Sequence, residues 1–145
     1  DFRKAVYTMI QKFLPIEMQL TYQVDGEPLE QLPNGYSDHY VPDGFERDYE
    51  QGYDDAQAFL HVYTDIMTND FYTVSCAIVQ NQNQKELFDN EHTKYRKVKM
   101  GDVEALLGED KNTGYYLVWE DEGITHTIIG RISIKELMLV AQKIY

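Results

Sequence analysis

The four histidines are the side chains of this sequence best suited to acid–base or metal chemistry. They are His39, His61, His92 and His126. None is paired with another histidine, a cysteine or a carboxylate at a spacing that makes a metal site from a single element. His61 and His126 each fall within a predicted strand, where we expect a solvent-facing or hydrogen-bonded role. The sequence therefore predicts no metal site, no cofactor and no catalytic histidine.

The 25 carboxylates are too numerous for closeness in sequence to indicate a catalytic pair. Glu46, Asp48 and Glu50 alternate along one predicted strand, which is typical of a solvated face. No acidic cluster has the spacing of a calcium loop, and nothing marks a cleft for a glycosidase-like pair. A hydrolase built from scattered carboxylates with His61 or His126 remains an alternative. It predicts a cleft that holds a buried carboxylate with a shifted pKa.

Cys76 is the one cysteine, so the chain cannot form an internal disulfide. It shares a predicted strand face with Tyr72, Val74 and Ile78, which favours a buried structural thiol over a nucleophile. The sequence holds no Gly-x-Ser-x-Gly elbow and no phosphate-binding glycine loop. No catalytic residue is predicted.

An aromatic-rich strand gives the one candidate ligand platform. Its residues are Tyr115, Tyr116 and Trp119, with His126 on the following strand. Such aromatic side chains could stack on a sugar ring. However, alternation places Tyr115 and Trp119 on one strand face and Tyr116 on the other, so a role in the core is the simpler interpretation.

Length and charge limit the classes of protein to which this chain can belong. The 145 residues fit one domain, 1–145, and the net charge of −12 disfavours nucleic acids and anionic membrane surfaces as partners. No apolar run is long enough to span a membrane. The chain begins at Asp1 rather than at Met, so we expect any membrane anchor to lie in a segment before Asp1.

Periodicity predicts how the first part of the chain, 1–39, is built. Apolar residues at helical spacing over 2–14 predict a helix that ends at Pro15. Strict alternation over 16–24 predicts a strand. The two segments 32–36 and 41–45 each carry a Pro followed by Asn-Gly or Asp-Gly, and they predict tight turns.

The second part, 40–145, is predicted to be an antiparallel meander that ends in a helix. Predicted strands cover 45–52, 56–65, 71–80, 93–100, 103–107, 115–120 and 125–130. The polar gap between them, 81–91, is expected to hold at most one helical turn around Leu87 and Phe88. Twelve tyrosines, whose rings bury while their hydroxyls stay wet, also favour a sheet.

The C-terminal helix carries the clearest signal. Ser133 and Glu136 form a capping box, and Ile132 and Leu137 stand at hydrophobic-staple positions. The apolar stripe that should pack on the sheet comprises Ile134, Leu137, Met138, Ala141 and Ile144. A helix at each end of a meander predicts the α+β class.

Several motifs together resemble one bacterial family. The stretch 114–130, followed by Ile132-Ser-Ile-Lys-Glu-Leu137, resembles the C-terminal signature of the family called domain of unknown function 4367. Tyr40-Val-Pro-Asp-Gly-Phe45 is similar to its entry turn, and Val98-Lys-Met-Gly-Asp-Val103 resembles the hairpin before the signature. The opening Phe2-Arg-Lys-Ala-Val6 is similar to the segment after the membrane helix of full-length members.

The resemblance implies a location more than a chemistry. Members are usually extracytoplasmic parts of membrane-anchored proteins of Gram-positive anaerobes, some beside extracytoplasmic-function sigma factors. No catalytic residue carries over, and His126 stands where such sequences often have an aromatic residue.

We therefore expect a non-enzymatic domain that senses or binds outside the membrane. Its target would be a protein partner, a cell-wall fragment or an amphiphile held against the sheet. The alternatives are a carrier-like half-barrel for apolar ligands, which predicts an apolar cavity on the sheet face, and the carboxylate-based hydrolase.

Overall fold

The computed structural model describes residues 6–13, 17–80, 84–89 and 92–145. These residues form eleven strands and one helix. The elements are β1 (Val6–Phe13), β2 (Glu17–Asp25), β3 (Phe45–Arg47), β4 (Tyr53–Asp54), β5 (Ala58–Asp65), β6 (Phe71–Ile78), β7 (Gln84–Asp89), β8 (Thr93–Met100), β9 (Val103–Asp110), β10 (Gly114–Asp121), β11 (Ile124–Gly130) and α1 (Ile134–Gln142).

The larger sheet is antiparallel and has eight strands. Its order is β3-β5-β6-β11-β10-β9-β8, and β4 also pairs with β5. The predicted antiparallel sheet is confirmed, but its strands do not follow chain order throughout. β6 pairs with β11, so that Cys76 lies opposite His126. This pairing brings the N-terminal and C-terminal halves of the sheet together.

The smaller sheet has three strands in the order β1-β2-β7. The N-terminal helix predicted from residue 2 is wrong over Val6–Phe13, which pairs with β2 along its whole length. Val, Tyr, Thr and Ile in this stretch favour a strand, and a pairing partner outweighs local helical spacing. The rest of the predicted helix, residues 2–5 and 14, lies outside the described residues.

The segment between β6 and β8 also differs from the prediction. The helical turn expected around Leu87 and Phe88 is wrong, because Gln84–Asp89 is a strand that pairs with β2. β7 is therefore the third strand of the smaller sheet.

The larger sheet is covered on both faces. One face packs against α1, and the buried residues there include Val74, Leu117, Ile128 and Leu137. The other face packs against the smaller sheet through a second core of Leu20, Tyr22, Val24, Val79, Leu106 and Val118. No helix in the described part of the chain is long and apolar enough to cross a membrane.

The C-terminal helix begins as predicted. The Ser133 hydroxyl accepts a hydrogen bond from the Glu136 backbone N–H at 3.2 Å. Leu137 and Ala141 are buried against the sheet, together with Val140, which the predicted stripe left out. Ile134, which the stripe included, is exposed.

The strand predicted over 45–52 is present only over Phe45–Arg47. β3 ends at Arg47, and the Asp48 carboxylate then accepts a hydrogen bond from the Glu50 backbone N–H at 3.0 Å, which stabilises a turn. The chain returns at β4, where Asp54 pairs with Phe59 of β5. The turn and β4 thereby place Asp54 beside β5, near one edge of the larger sheet.

Candidate functional site

Residues 36–40, which we call the strap, lie across the helix-side face of the larger sheet. The turn before the strap is the predicted one, with the Tyr36 N–H donating to the Pro33 carbonyl at 3.0 Å. The backbone of Ser37 exchanges two hydrogen bonds with Tyr145, at 3.0 and 3.1 Å, and the His39 N–H donates to the Lys143 carbonyl at 2.8 Å. Residues 143–145, which follow α1, therefore hold the strap in position through backbone hydrogen bonds.

Alternate residues of the strap hydrogen bond to side chains of the sheet or of α1. The three contacts are Tyr36 Oη with His126 Nε2 at 2.5 Å, Asp38 Oδ1 with His61 Nδ1 at 2.7 Å, and Tyr40 Oη with Glu136 Oε2 at 2.6 Å. A spacing of two residues is that of an extended chain, in which every second side chain points to the same side. The strap is thus an extended segment with one polar, bonded side.

His61 lies at the centre of a buried charged network. Its Nδ1 bonds to Asp38 at 2.7 Å and its Nε2 bonds to Asp54 at 2.6 Å. The ring stacks on Phe59 with 4.3 Å between centroids. The side chains of His61 and Asp38 are 2% and 1% exposed, whereas that of Asp54 is 61% exposed.

The two carboxylates stabilise the charged form of His61. Burial by itself lowers the pKa of His61, but its hydrogen bonds to Asp38 and Asp54 outweigh burial and raise the pKa above the usual value. Burial acts in the opposite sense on Asp38, and the bonds from His61 and Tyr63 outweigh it and lower the pKa of this carboxyl. Because an ionised carboxylate can only accept, this geometry favours the imidazolium form of His61, which donates from both ring nitrogens.

Further side chains complete the network. The Tyr63 hydroxyl donates to Asp38 Oδ2, and the Ser37 hydroxyl donates to Asp38 Oδ1 at 3.3 Å. Arg47 pairs with Asp54 Oδ2 at 2.9 Å. With His61 protonated, the two positive charges of His61 and Arg47 balance the two negative charges of Asp38 and Asp54.

His126 is the second buried histidine on this face, and its environment is apolar. It is 2% exposed and stacks flat on Trp119 with 4.6 Å between centroids. Burial lowers its pKa to about 4, although the backbone of Trp119 and of Ile124 favours protonation. Nδ1 has no partner at hydrogen-bonding geometry among the described residues. His126 is thus a neutral ring at ordinary pH.

Two cavities flank Tyr36. The first cavity, of about 300 Å³, is lined by residues that include Leu32, Asn34, Tyr36, Asp54, Ala56 and Phe59. The second cavity, of about 290 Å³, is lined by residues that include Tyr36, Met100, Val103, Trp119, His126 and Ala141. Because Tyr36 lines both, the strap forms part of the wall between them.

The predicted aromatic platform is divided between the two faces of β10. Trp119 and His126 lie together beneath the strap. Tyr115 packs partly buried against the same core. Tyr116 lies on the opposite face, and its hydroxyl accepts a hydrogen bond from Thr113 at 3.2 Å. Of the four residues of the predicted platform, Trp119 and His126 are therefore the two that lie beside the strap.

The remaining candidates for chemistry are structural. Cys76 is 1% exposed, and burial raises the pKa of its thiol, which confirms the prediction of a buried structural cysteine. No group of three or more His, Cys, Asp or Glu within the described ranges could hold a metal ion.

Sequence reasoning missed Asp38 and Asp54, the partners of His61. Asp38 lies in a turn-rich segment and Asp54 in a pair of aspartates that looks like a turn. One signal was available: Tyr36, Asp38 and Tyr40 alternate, which is the pattern of an extended chain with one bonded side.

Fold and site together define a class: a two-sheet α+β domain in which buried histidines hold a strap over the sheet. The chain belongs to the family described as Domain of unknown function (DUF4367), whose model matches residues 35–144. The matched part includes the strap, the whole larger sheet and α1. No curated protein and no solved structure matched the chain.

Proposed function

We propose that this chain is a non-enzymatic sensing or binding domain of a membrane-anchored bacterial protein, located outside the cytoplasm. The observation that carries the proposal is the use of its two buried histidines. Both bond to the strap, and both ring nitrogens of His61 are occupied by carboxylates. Two cavities lie beside the segment that they hold.

The chemistry of His61 argues against a general base. A base must offer a free nitrogen, whereas both nitrogens of His61 donate to carboxylates. Asp38 is a buried carboxylate with a shifted pKa, which the hydrolase alternative requires, but its pKa is lowered. A general acid needs a raised pKa. Burial raises the pKa of Glu120 to about 7, but Glu120 lies on the opposite sheet face from His126 and the strap.

The proposed location rests on the family. Members of the family that this sequence resembles are usually extracytoplasmic and anchored, and the charge of −12 suits a domain that stays off anionic lipid. Protease treatment of intact cells that express the full-length protein should remove the domain and leave a cytoplasmic marker intact. A domain that is degraded only after lysis would refute the location.

Binding is tested by thermal unfolding of the purified domain with cell-wall fragments, cationic peptides, fatty acids, Ca²⁺ and Zn²⁺. A ligand at 100 times its Kd stabilises by about 2.7 kcal/mol, which moves the midpoint by several degrees. We expect one class of ligand to give such a shift. If no compound of the panel shifts the midpoint of thermal unfolding, and cross-linking in cells recovers no partner, the proposed binding function is wrong.

Turnover separates the binding function from the hydrolase. The cell-wall fragments of the same panel are incubated with the domain and analysed by mass spectrometry. We expect unchanged fragments. Cleavage that disappears in Asp54→Asn would instead support a catalytic use of the His61 network.

A further inference from the structure

We propose that the second cavity is a binding site for a small molecule that combines an aromatic ring with a neutral or cationic hydrogen-bonding group, and that it rejects anions. The inference deepens the proposed binding function and rests on it. It assigns the ligand class and the residues that select it.

The size and walls of the second cavity suit such a ligand. Its volume of about 290 Å³ is close to the lower end for small-molecule pockets. Liquid water occupies about 30 Å³ per molecule, so the space equals about ten waters. Trp119 and Tyr36 supply aromatic wall, and the aliphatic wall comes from Val103, Ala141 and Ile144.

The polar side chains at this cavity include those of Tyr36, Asp121, His126 and Gln142. The Tyr36 hydroxyl is bonded to His126 Nε2 at 2.5 Å, and a phenolic hydroxyl both donates and accepts, so it retains capacity for a second bond. Burial raises the pKa of Tyr36, so the hydroxyl stays protonated. The Tyr36 hydroxyl can therefore bond to a hydrogen-bonding group on the ligand.

Charge decides which ligands are excluded. Asp121 is the one charged side chain among the described lining residues, and it is exposed at the cavity. His126 stays neutral because burial lowers its pKa to about 4. No Lys or Arg among the described lining residues compensates an anionic ligand, and the chain carries a net charge of −12. A carboxylate or phosphate would be desolvated without a partner, whereas an ammonium group is attracted to Asp121.

The first cavity is less suited to the same ligand. Its wall includes Asp54, Asp55 and Asn34, and Asp54 already pairs with Arg47 and His61. An apolar molecule would cover these polar groups and remove their water. The two cavities therefore serve as a matched test pair.

The test uses the one tryptophan of the chain, Trp119, as its reporter. The ¹⁵N-labelled domain gives a single indole N–H resonance, which is followed by NMR during titration with benzyl alcohol, benzylamine and benzoate. These probes share one ring and differ in charge. We expect saturable shifts with the alcohol and the amine, and at least tenfold weaker binding of benzoate.

Two variants locate the site. Ala141→Met fills the second cavity and should weaken benzyl alcohol binding at least tenfold, whereas Ala56→Met fills the first cavity and should leave it unchanged. Because Ala141 is only 7% exposed and its replacement could disturb packing, Val103→Phe is a second filling variant at a half-buried wall position. Thermal unfolding verifies that each variant folds.

The outcomes separate the inference from the proposed function. Equal binding of benzoate would overturn the charge selection. Binding lost in Ala56→Met and kept in Ala141→Met and Val103→Phe would overturn the location, while the binding function would stand. Absence of any saturable shift would overturn the site and leave partner recognition to be judged by cross-linking.

Discussion

The Asp38 carboxylate accepts a hydrogen bond from His61 Nδ1 at 2.7 Å, in a pair whose side chains are 1% and 2% exposed. Asp38 belongs to the strap and His61 to β5, so this pair joins a loop segment to a strand near one edge of the larger sheet. Asp54 holds the opposite nitrogen of the same ring. The pair is thus one half of a network that determines where the strap lies.

Replacing Asp38 by Asn should destabilise the domain strongly. The buried imidazolium of His61 would keep Asp54 as a counter-charge and lose the other. Breaking a buried ion pair costs about 3–5 kcal/mol, and we expect a value near the lower end because Asp54 remains. Urea unfolding measures the loss. Asp102→Asn, at an exposed turn, is the control and should change stability by less than about 0.5 kcal/mol.

His126 should make the domain sensitive to mild acid. Burial lowers its pKa to about 4, so its contribution is present above its unfolded pKa of about 6.5 and is lost as pH falls toward 4. The full loss is on the order of 3 kcal/mol. In His126→Phe, the fall in unfolding free energy between pH 7 and pH 5 should be clearly smaller than in the parent.

His61 acts in the opposite direction and cannot produce that acid loss. Its pKa is raised in the fold, so its contribution is full below about pH 6.5 and is lost as pH rises through the folded pKa. Equal slopes between pH 7 and pH 5 in the parent and in His126→Phe would show that His126 is not the acid-sensitive group.

Two stacked tyrosines should respond oppositely to loss of their hydroxyls. Tyr63 and Tyr72 have ring centroids 4.8 Å apart. The Tyr63 hydroxyl donates to Asp38, and the Tyr72 hydroxyl is buried with no partner in the described part of the chain. An unsatisfied buried polar group costs about 1–3 kcal/mol, so Tyr72→Phe should stabilise and Tyr63→Phe should destabilise.

Thermal unfolding of both variants, made side by side, checks this pair of predictions. Because the rings remain in place, a change in packing is largely excluded. A Tyr72→Phe variant that melts below the parent would mean that the hydroxyl has a partner in solution.

Gly52 should be indispensable for the position of Asp54. Its φ is +87°, and a Cβ there would overlap the Leu60 carbonyl oxygen, so Gly52→Ala must displace β4 from β5. Asp54 would move with β4, and the pKa of His61, measured by NMR, should fall. Gly35→Ala is the matched control, since Gly35 has a φ of +78° but open space around its Cβ position.

The control separates backbone strain from overlap. Gly35→Ala should cost about 1–2 kcal/mol for the left-handed backbone alone. We expect Gly52→Ala to cost more than this by at least about 1 kcal/mol, since its backbone must also shift. Similar losses in the two variants, with His61 unchanged, would contradict the role assigned to Gly52.

Local signals in the sequence were sufficient for much of the fold. Ser133 as the N-cap of α1, the turn before Tyr36 and the alternation in most strands of the larger sheet are read over a few neighbouring residues, and all are present. The family resemblance was also confirmed, because its motifs are local stretches of chain.

Pairing between distant segments decided the rest. Val6–Phe13 has apolar spacing that suits a helix, but β2 offers it a complete ladder of hydrogen bonds, and Gln84–Asp89 gains the same from the other side of β2. Asp38, Asp54 and His61 are ordinary polar residues in sequence. Their charges acquire a role only when the strap, β4 and β5 meet, because burial removes the water that would otherwise solvate His61 and Asp38.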